Sequence, residues 1–108
     1  MKSVIDSVIA VKAAGNSAED SVEFDALPKA VPCLIRLFGA SIPDGCVAFL
    51  EFGNDDGWQT IRGIATGTAE FQDLEITGDG SQKLRLRWIN DNGETRHIVA
   101  WLNVLING

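Results

Sequence analysis

The chain contains no tyrosine, one histidine, two cysteines, one methionine and three prolines in 108 residues. Each scarcity removes a class of chemistry. His97 is the sole imidazole, no GxSxG elbow surrounds any serine, and neither Cys33 nor Cys46 stands where a base would activate it, so nucleophilic catalysis lacks its parts. One His and two separated Cys without a CxxC spacing do not make a standard zinc set or redox pair. The two cysteines read instead as buried thiols, because a free cysteine behaves as a small hydrophobe. P-loop and dinucleotide fingerprints are missing as well, since Gly63 and Gly67 lack the required neighbours.

Basic charge is also scarce. Nine Lys and Arg stand against fifteen Asp and Glu, a formal net charge of −6, and only Arg85 and Arg87 sit close together. Phosphate recognition needs clustered cations, so nucleic acid and anionic membranes are not expected partners. No apolar run reaches membrane length. The opening MKSVIDSVIAVKAAG is interrupted by Asp6 and Lys12 and offers no secretory h-region, so synthesis in a cytoplasm without a signal peptide is expected.

What remains is an ordinary globular composition, 45% apolar and 22% charged, in a length that suits one domain. The most structured-looking segment is Leu84 to Trp101, LRLRWINDNGETRHIVAW, where two alternating runs flank Asn92-Gly93. A type I′ turn there predicts a hairpin with Trp88 facing His97, Leu86 facing Val99 and Leu84 facing Trp101 on one apolar face. Shifting the turn to Asp91-Asn92 would oppose Arg87 to Arg96, which disfavours that register.

The same alternation recurs upstream. Residues 4–12 suit a helical face through Val4, Ile5, Val8 and Ile9, yet their β-branched content favours a strand, with residues 1–20 forming an N-terminal strand or arm. Ser21 to Leu27 alternates with Val22, Phe24 and Ala26 on one face, and Pro28 closes it. Ala30 to Phe38 and Cys46 to Phe52 are apolar on both parities, joined by the turn signal Ile42-Pro43-Asp44-Gly45. A hairpin there would set Cys33 near residue 51 or 52 rather than Cys46; only a tighter turn at Gly39-Ala40 would bring the two cysteines face to face. Gly53 to Gly57 leads into a strand over Trp58 to Ile64, making a longer-loop hairpin with Phe52 and Trp58 at its base. Thr68 to Thr77 changes face near Gln72, which suggests a bulge. A three-residue loop over Asp79, Gly80 and Ser81 would pair Ile76 with Leu84 and Leu74 with Leu86. About eight short strands separated by Gly, Pro, Asn and Asp clusters predict an all-β fold, an antiparallel β-sandwich of Ig-like or jelly-roll-like form over residues 21–108.

Carboxylates are abundant at Glu51, Asp55, Asp56, Glu70, Asp73 and Glu75, but no spacing pairs two of them for acid–base work. Asn54, Asp55 and Asp56, or Asn90, Asp91 and Asn92, offer hard oxygen donors without the EF-hand spacing. No catalytic, metal or cofactor site is therefore expected. The best contact candidate is Asn54, Asp55 and Asp56 with Trp58 beside them, where a flat ring next to polar groups would suit a sugar.

Strands apolar on both faces carry more apolar surface than one small sandwich conceals, which predicts a homo-oligomer. In its overall character (short, acidic, leaderless, all-β, with an N-terminal arm) the chain resembles the small virion accessory proteins of tailed phages, the capsid decoration or cement proteins and some tail components. That resemblance implies a homotrimer or similar oligomer clamping capsid subunits in a virion, with no cofactor, and carries over no site residues. Two other classes compete with it: a carbohydrate-binding β-sandwich using Trp58 and the Asn54 to Asp56 loop, and an adaptor binding a peptide at an open sheet edge.

Overall fold

The computed structural model describes residues 2–15, 18–65 and 74–107. These form eight strands and no helix: β1 (Lys2–Ala13), β2 (Ala18–Ala26), β3 (Pro32–Ser41), β4 (Cys46–Asn54), β5 (Gly57–Ala65), β6 (Leu74–Thr77), β7 (Lys83–Asn90) and β8 (Arg96–Ile106). They build two four-stranded sheets in the orders β1-β8-β3-β6 and β2-β7-β4-β5, with every strand pairing antiparallel. First pairs with last, second with seventh, third with sixth and fourth with fifth. The chain is thus one long ribbon doubled back at the β4–β5 turn and wrapped into two layers, the connectivity of a jelly roll.

The 2.0-residue period explains why these segments are strands. In β7, Leu84, Leu86, Trp88 and Asn90 point inward and are buried, while Lys83, Arg85, Arg87 and Ile89 point outward. Opposite them, β8 contributes Ile98, Ala100, Leu102 and Val104. Both are inner strands, as are β3 and β4, and Cys33, Ile35, Leu37, Ala48, Leu50 and Ile64 complete the core around them. Cys33 and Cys46 are both free and buried, on strands of different sheets. Burial pushes both thiols up from their ordinary pKa, as befits core groups.

Several expectations are corrected by this topology. β7 and β8 do not form a hairpin; each sits in a different sheet. Neither Asn92 nor Gly93 has positive φ, so the type I′ turn is absent. As a result Trp101 and His97 face outward and are exposed, whereas Ile98 and Ala100, expected outside, are core. β3 and β4 likewise lie in different sheets, so no hairpin forms around Ile42-Pro43. Ile76 pairs with Cys33 and Leu74 with Ile35, not with Leu84 and Leu86. The segment 4–12 is strand, paired with β8 from Ile5 onward, with Val4 at a register shift. The change of face near Gln72 falls outside the described residues.

The arch that replaces the expected hairpin is organised by Asn90, whose side chain is fully buried. Its Nδ2 donates to the carbonyls of Ala13 and Glu94, each at 2.9 Å. Its Oδ1 accepts the Asn92 N–H at 2.9 Å. One amide therefore ties the end of β1 to the arch between the sheets. The turn before β4 joins the same corner: Asp91 N donates to Gly45 O at 2.8 Å, and the Asn92 side chain donates to Asp44 O. Gly45 has φ 80°, and a Cβ there would lie 2.6 Å from Asn92 Nδ2. Both its handedness and its close neighbour require glycine.

Asn90→Ala would leave two carbonyls and one N–H without their partner inside the molecule. The expected loss of unfolding free energy is about 2–4 kcal/mol, read from the shift in urea midpoint. A loss below about 0.5 kcal/mol, the range of ordinary surface substitutions, would show that the corner does not depend on this amide.

Candidate functional site

The outward face of the β2-β7-β4-β5 sheet gathers charge and aromatic rings around one carboxylate. Alternation in β4 puts Phe49 and Glu51 outward, and in β7 it puts Arg85 and Arg87 outward. The register sets Phe49 opposite Arg87 and Glu51 opposite Arg85, and β5 brings Thr60 opposite Glu51. Glu51 is only 5% exposed although it points away from the core. The arginines lie over it.

The geometry of this cluster is close to saturated. Glu51 Oε1 accepts from Arg85 Nη2 at 2.6 Å, Arg85 Nε at 3.0 Å and Arg87 Nε at 3.1 Å. Oε2 accepts from Thr60 Oγ1 at 2.9 Å. Arg87 Nη1 reaches across to Glu19 on β2 at 3.1 Å, linking all four strands of this sheet through one chain of charge-assisted bonds. The guanidinium carbons also lie over rings, Arg85 at 4.2 Å from the Trp58 centroid and Arg87 at 4.5 Å from that of Phe49. Phe49, an apolar outward residue of β4, is thus covered by an arginine of the same chain.

Burial pushes the Glu51 carboxyl up, but the hydrogen bonds from Arg85, Arg87 and Thr60 outweigh it and hold the group below its ordinary pKa. Desolvation likewise works to lower Arg87, and Glu51 with Glu19 overcomes it, leaving Arg87 raised. A carboxylate held ionised with its oxygens engaged is an anchor for the sheet face, and a poor general acid or base at neutral pH.

The sequence candidates Asn54, Asp55, Asp56 and Trp58 are divided by the structure. Asn54 pairs with Gly57, so the β4–β5 loop is the two residues Asp55-Asp56, shorter than expected. Asn54 Oδ1 accepts the Asp56 N–H at 3.0 Å, which closes this turn. Gly53, with φ 153°, lies so close to the opposite strand that a Cβ would sit 2.1 Å from the Gly57 carbonyl oxygen. Asn54, Asp55 and Asp56 line a cleft of about 330 Å³ with Glu23, Ser81 and Lys83. Lys83 pairs with Glu23 at 3.7 Å. Ser81 is held by Asp79, whose Oδ1 accepts both its N–H and its hydroxyl. Trp58 does not line this cleft; it is half-buried, and one ring face is under Arg85.

Among the described residues no group of three or more His, Cys, Asp or Glu is placed to hold a metal ion. Of the second proposed oxygen set, Asn90 is committed to the inter-sheet corner. No helix among the described residues is long and apolar enough to cross a membrane. The Glu51 cluster itself was not expected from sequence: Arg85 and Arg87 alternate visibly and Cys46 to Phe52 reads as a strand, but the pairing of that strand with β7 was not visible. No protein-family model matches the chain, and no curated protein shows significant similarity to it.

Because Glu51 titrates lower in the folded chain than in the unfolded one, its contribution to stability is fully present above the unfolded value, about 4.3, and is lost as pH falls through the folded value. Glu51→Gln should lower unfolding free energy at pH 7 by about 2–3 kcal/mol. The gap between the two proteins should narrow as the solution is acidified below the glutamate range. Denaturant titrations across pH would read both effects, and a gap that stays constant or widens in acid would contradict the assignment.

Proposed function

We propose that the chain is a non-catalytic structural protein that works as a homo-oligomer, a virion accessory protein of the capsid-decoration or cement kind. The observation that carries this reading is the outward face of the β1-β8-β3-β6 sheet. There Val8 is 70% exposed, Trp101 39% and Val4 38%, and Val8 stands directly opposite Trp101 in the register. Exposed apolar side chains on neighbouring strands are the kind of surface that protein association buries. The jelly-roll connectivity suits the reading, being an architecture used by viral capsid proteins. So does the Glu51 cluster, which stiffens the other face.

Light scattering should give a mass of at least twice 11.6 kDa at micromolar concentration, and the oligomer should co-sediment with assembled shells of a tailed-phage major capsid protein. A monomer at every concentration, with no binding to such shells, would refute the proposal.

Lectins share the jelly roll, and the cleft over Asn54, Asp55 and Asp56 supports a second reading, a carbohydrate-binding module. Recognition would then rest on the polar groups of the cleft more than on the Trp58 ring. A glycan array should show a signal that Asp55→Ala removes and Trp58→Ala largely spares; no signal from the parent protein would end this reading.

A further inference from the structure

Four strands end the two sheets, and three of these edges resist pairing with another copy. β2 carries Glu19, Asp20, Glu23 and Asp25 in nine residues, so two such edges side by side would crowd eight carboxylates. β5 has its pairing register broken near Ile61 and carries Arg62, and the described part of β6 spans four residues. Short length, charge and bulges are the usual ways in which an edge is protected from edge-to-edge association.

β1 is longer than β2 and β5, and its charges, Lys2, Asp6 and Lys12, are spaced apart and of both signs, so they can pair across a two-fold axis as well as repel. It runs for twelve residues, its one register shift lies at Ser3/Ile5, and from Ile5 to Ala13 the ladder to β8 is regular. Between Lys2 and Lys12 its only charge is Asp6. The outward side chains of this stretch are Asp6, Val8, Ala10 and Lys12, all exposed.

The geometry points to β1 as the edge through which two copies join, antiparallel, with the two-fold axis at Ile9, so that the β1-β8-β3-β6 sheet continues into the same sheet of the second copy. This rests on the homo-oligomer reading above and adds to it a contact through the sheet edge beside that outer face. The axis position follows from charge. With the axis at Ile9, Asp6 of each copy opposes Lys12 of the other, and Val8 opposes Ala10 on the same face. An axis at Ser7 would set Lys2 against Lys12, and axes at Val8 or Ala10 would leave both charges facing apolar residues. Opposite charges facing each other across an antiparallel ladder are favourable and like charges are not. The symmetry repeats each pair, so every gain is counted twice. The Asp6 carboxylate is already oriented on this face, accepting the indole N–H of Trp101 through Oδ1. The apolar pairs Val8 and Ala10 then form one row across the axis beside Trp101.

Charge exchange at one edge separates this arrangement from other interfaces. Lys12→Asp places an aspartate against Asp6 of the second copy and should raise the dimer dissociation constant about tenfold or more, without changing thermal unfolding of the isolated copy. The double exchange Asp6→Lys with Lys12→Asp restores opposite charges and should bring association back. A Val8→Cys/Ala10→Cys chain should form disulfide-linked dimers under mild oxidation, since directly opposed strand residues lie within bridging distance and the native Cys33 and Cys46 are buried. If the parent protein is oligomeric while the charge variants keep its mass and the cysteine pair fails to cross-link, the β1 edge is not the interface, and the homo-oligomer reading stands without it. If the parent protein is monomeric at all concentrations, both fall together.

Discussion

Asn90 is the residue on which the arrangement of the two layers turns. It lies at the end of β7, fully buried, and its amide joins Ala13 of β1 to Asn92 and Glu94 of the arch. A polar group at that depth is costly unless its donors and acceptors are met. Here three are met by backbone groups that come together only if the chain leaves one sheet at Asn90 and enters the other at Arg96. The crossing sets β8 between β1 and β3, and the core between β7 and β8 follows from it. β7 is paired on both sides, with β2 and β4, and β8 on both sides, with β1 and β3, so neither has an edge left for a hairpin at Asn92-Gly93.

The two outer faces consequently have different characters. On the β2-β7-β4-β5 sheet, Glu51 draws two arginines down onto Trp58 and Phe49, so that charge covers ring surface and the face is closed by its own side chains. Breaking such a pair by removing one partner is far more damaging than the pair's net worth suggests, because a charge is left behind. On the β1-β8-β3-β6 sheet, Val8 and Trp101 stay exposed on the outer face. Exposed Val8 and Trp101 thus lie on the sheet that ends in the long β1 edge, while the cleft lined by Asn54, Asp55 and Asp56 lies at the β4–β5 turn of the other.

Much of the secondary structure was legible because alternation is local. Val22 and Phe24 marked β2, Pro28 marked its end, and Leu84 to Trp88 marked the inward face of β7. The β4–β5 hairpin was legible too, since its turn residues and both strands are adjacent in sequence. What was hidden is which strands are partners. Turn chemistry favours neighbours, whereas here six of the seven connections between consecutive strands change sheet. On β8 both parities are apolar, and the set His97, Val99, Trp101 looked as plausible an inward row as Ile98, Ala100, Leu102, Val104. The polar Asn90 in phase with Leu84, Leu86 and Trp88 was the overlooked signal: a residue that must be inside and must find partners does not fit the end of a simple hairpin. Glu51 was hidden for the same reason, since its meaning depends on Arg85 and Arg87, which are more than thirty residues away.

Cross-strand backbone proton contacts, measured by nuclear Overhauser effects in solution, test the central claim that β7 and β8 belong to different sheets. Contacts joining the β7 residues Leu86 and Trp88 to Leu50 and Ala48, and the β8 residues Ala100 and Trp101 to Ile9 and Val8, are the predicted result. Contacts joining Trp88 to His97 and Leu86 to Val99 would contradict it, because they would restore the hairpin and turn Trp101 into the core.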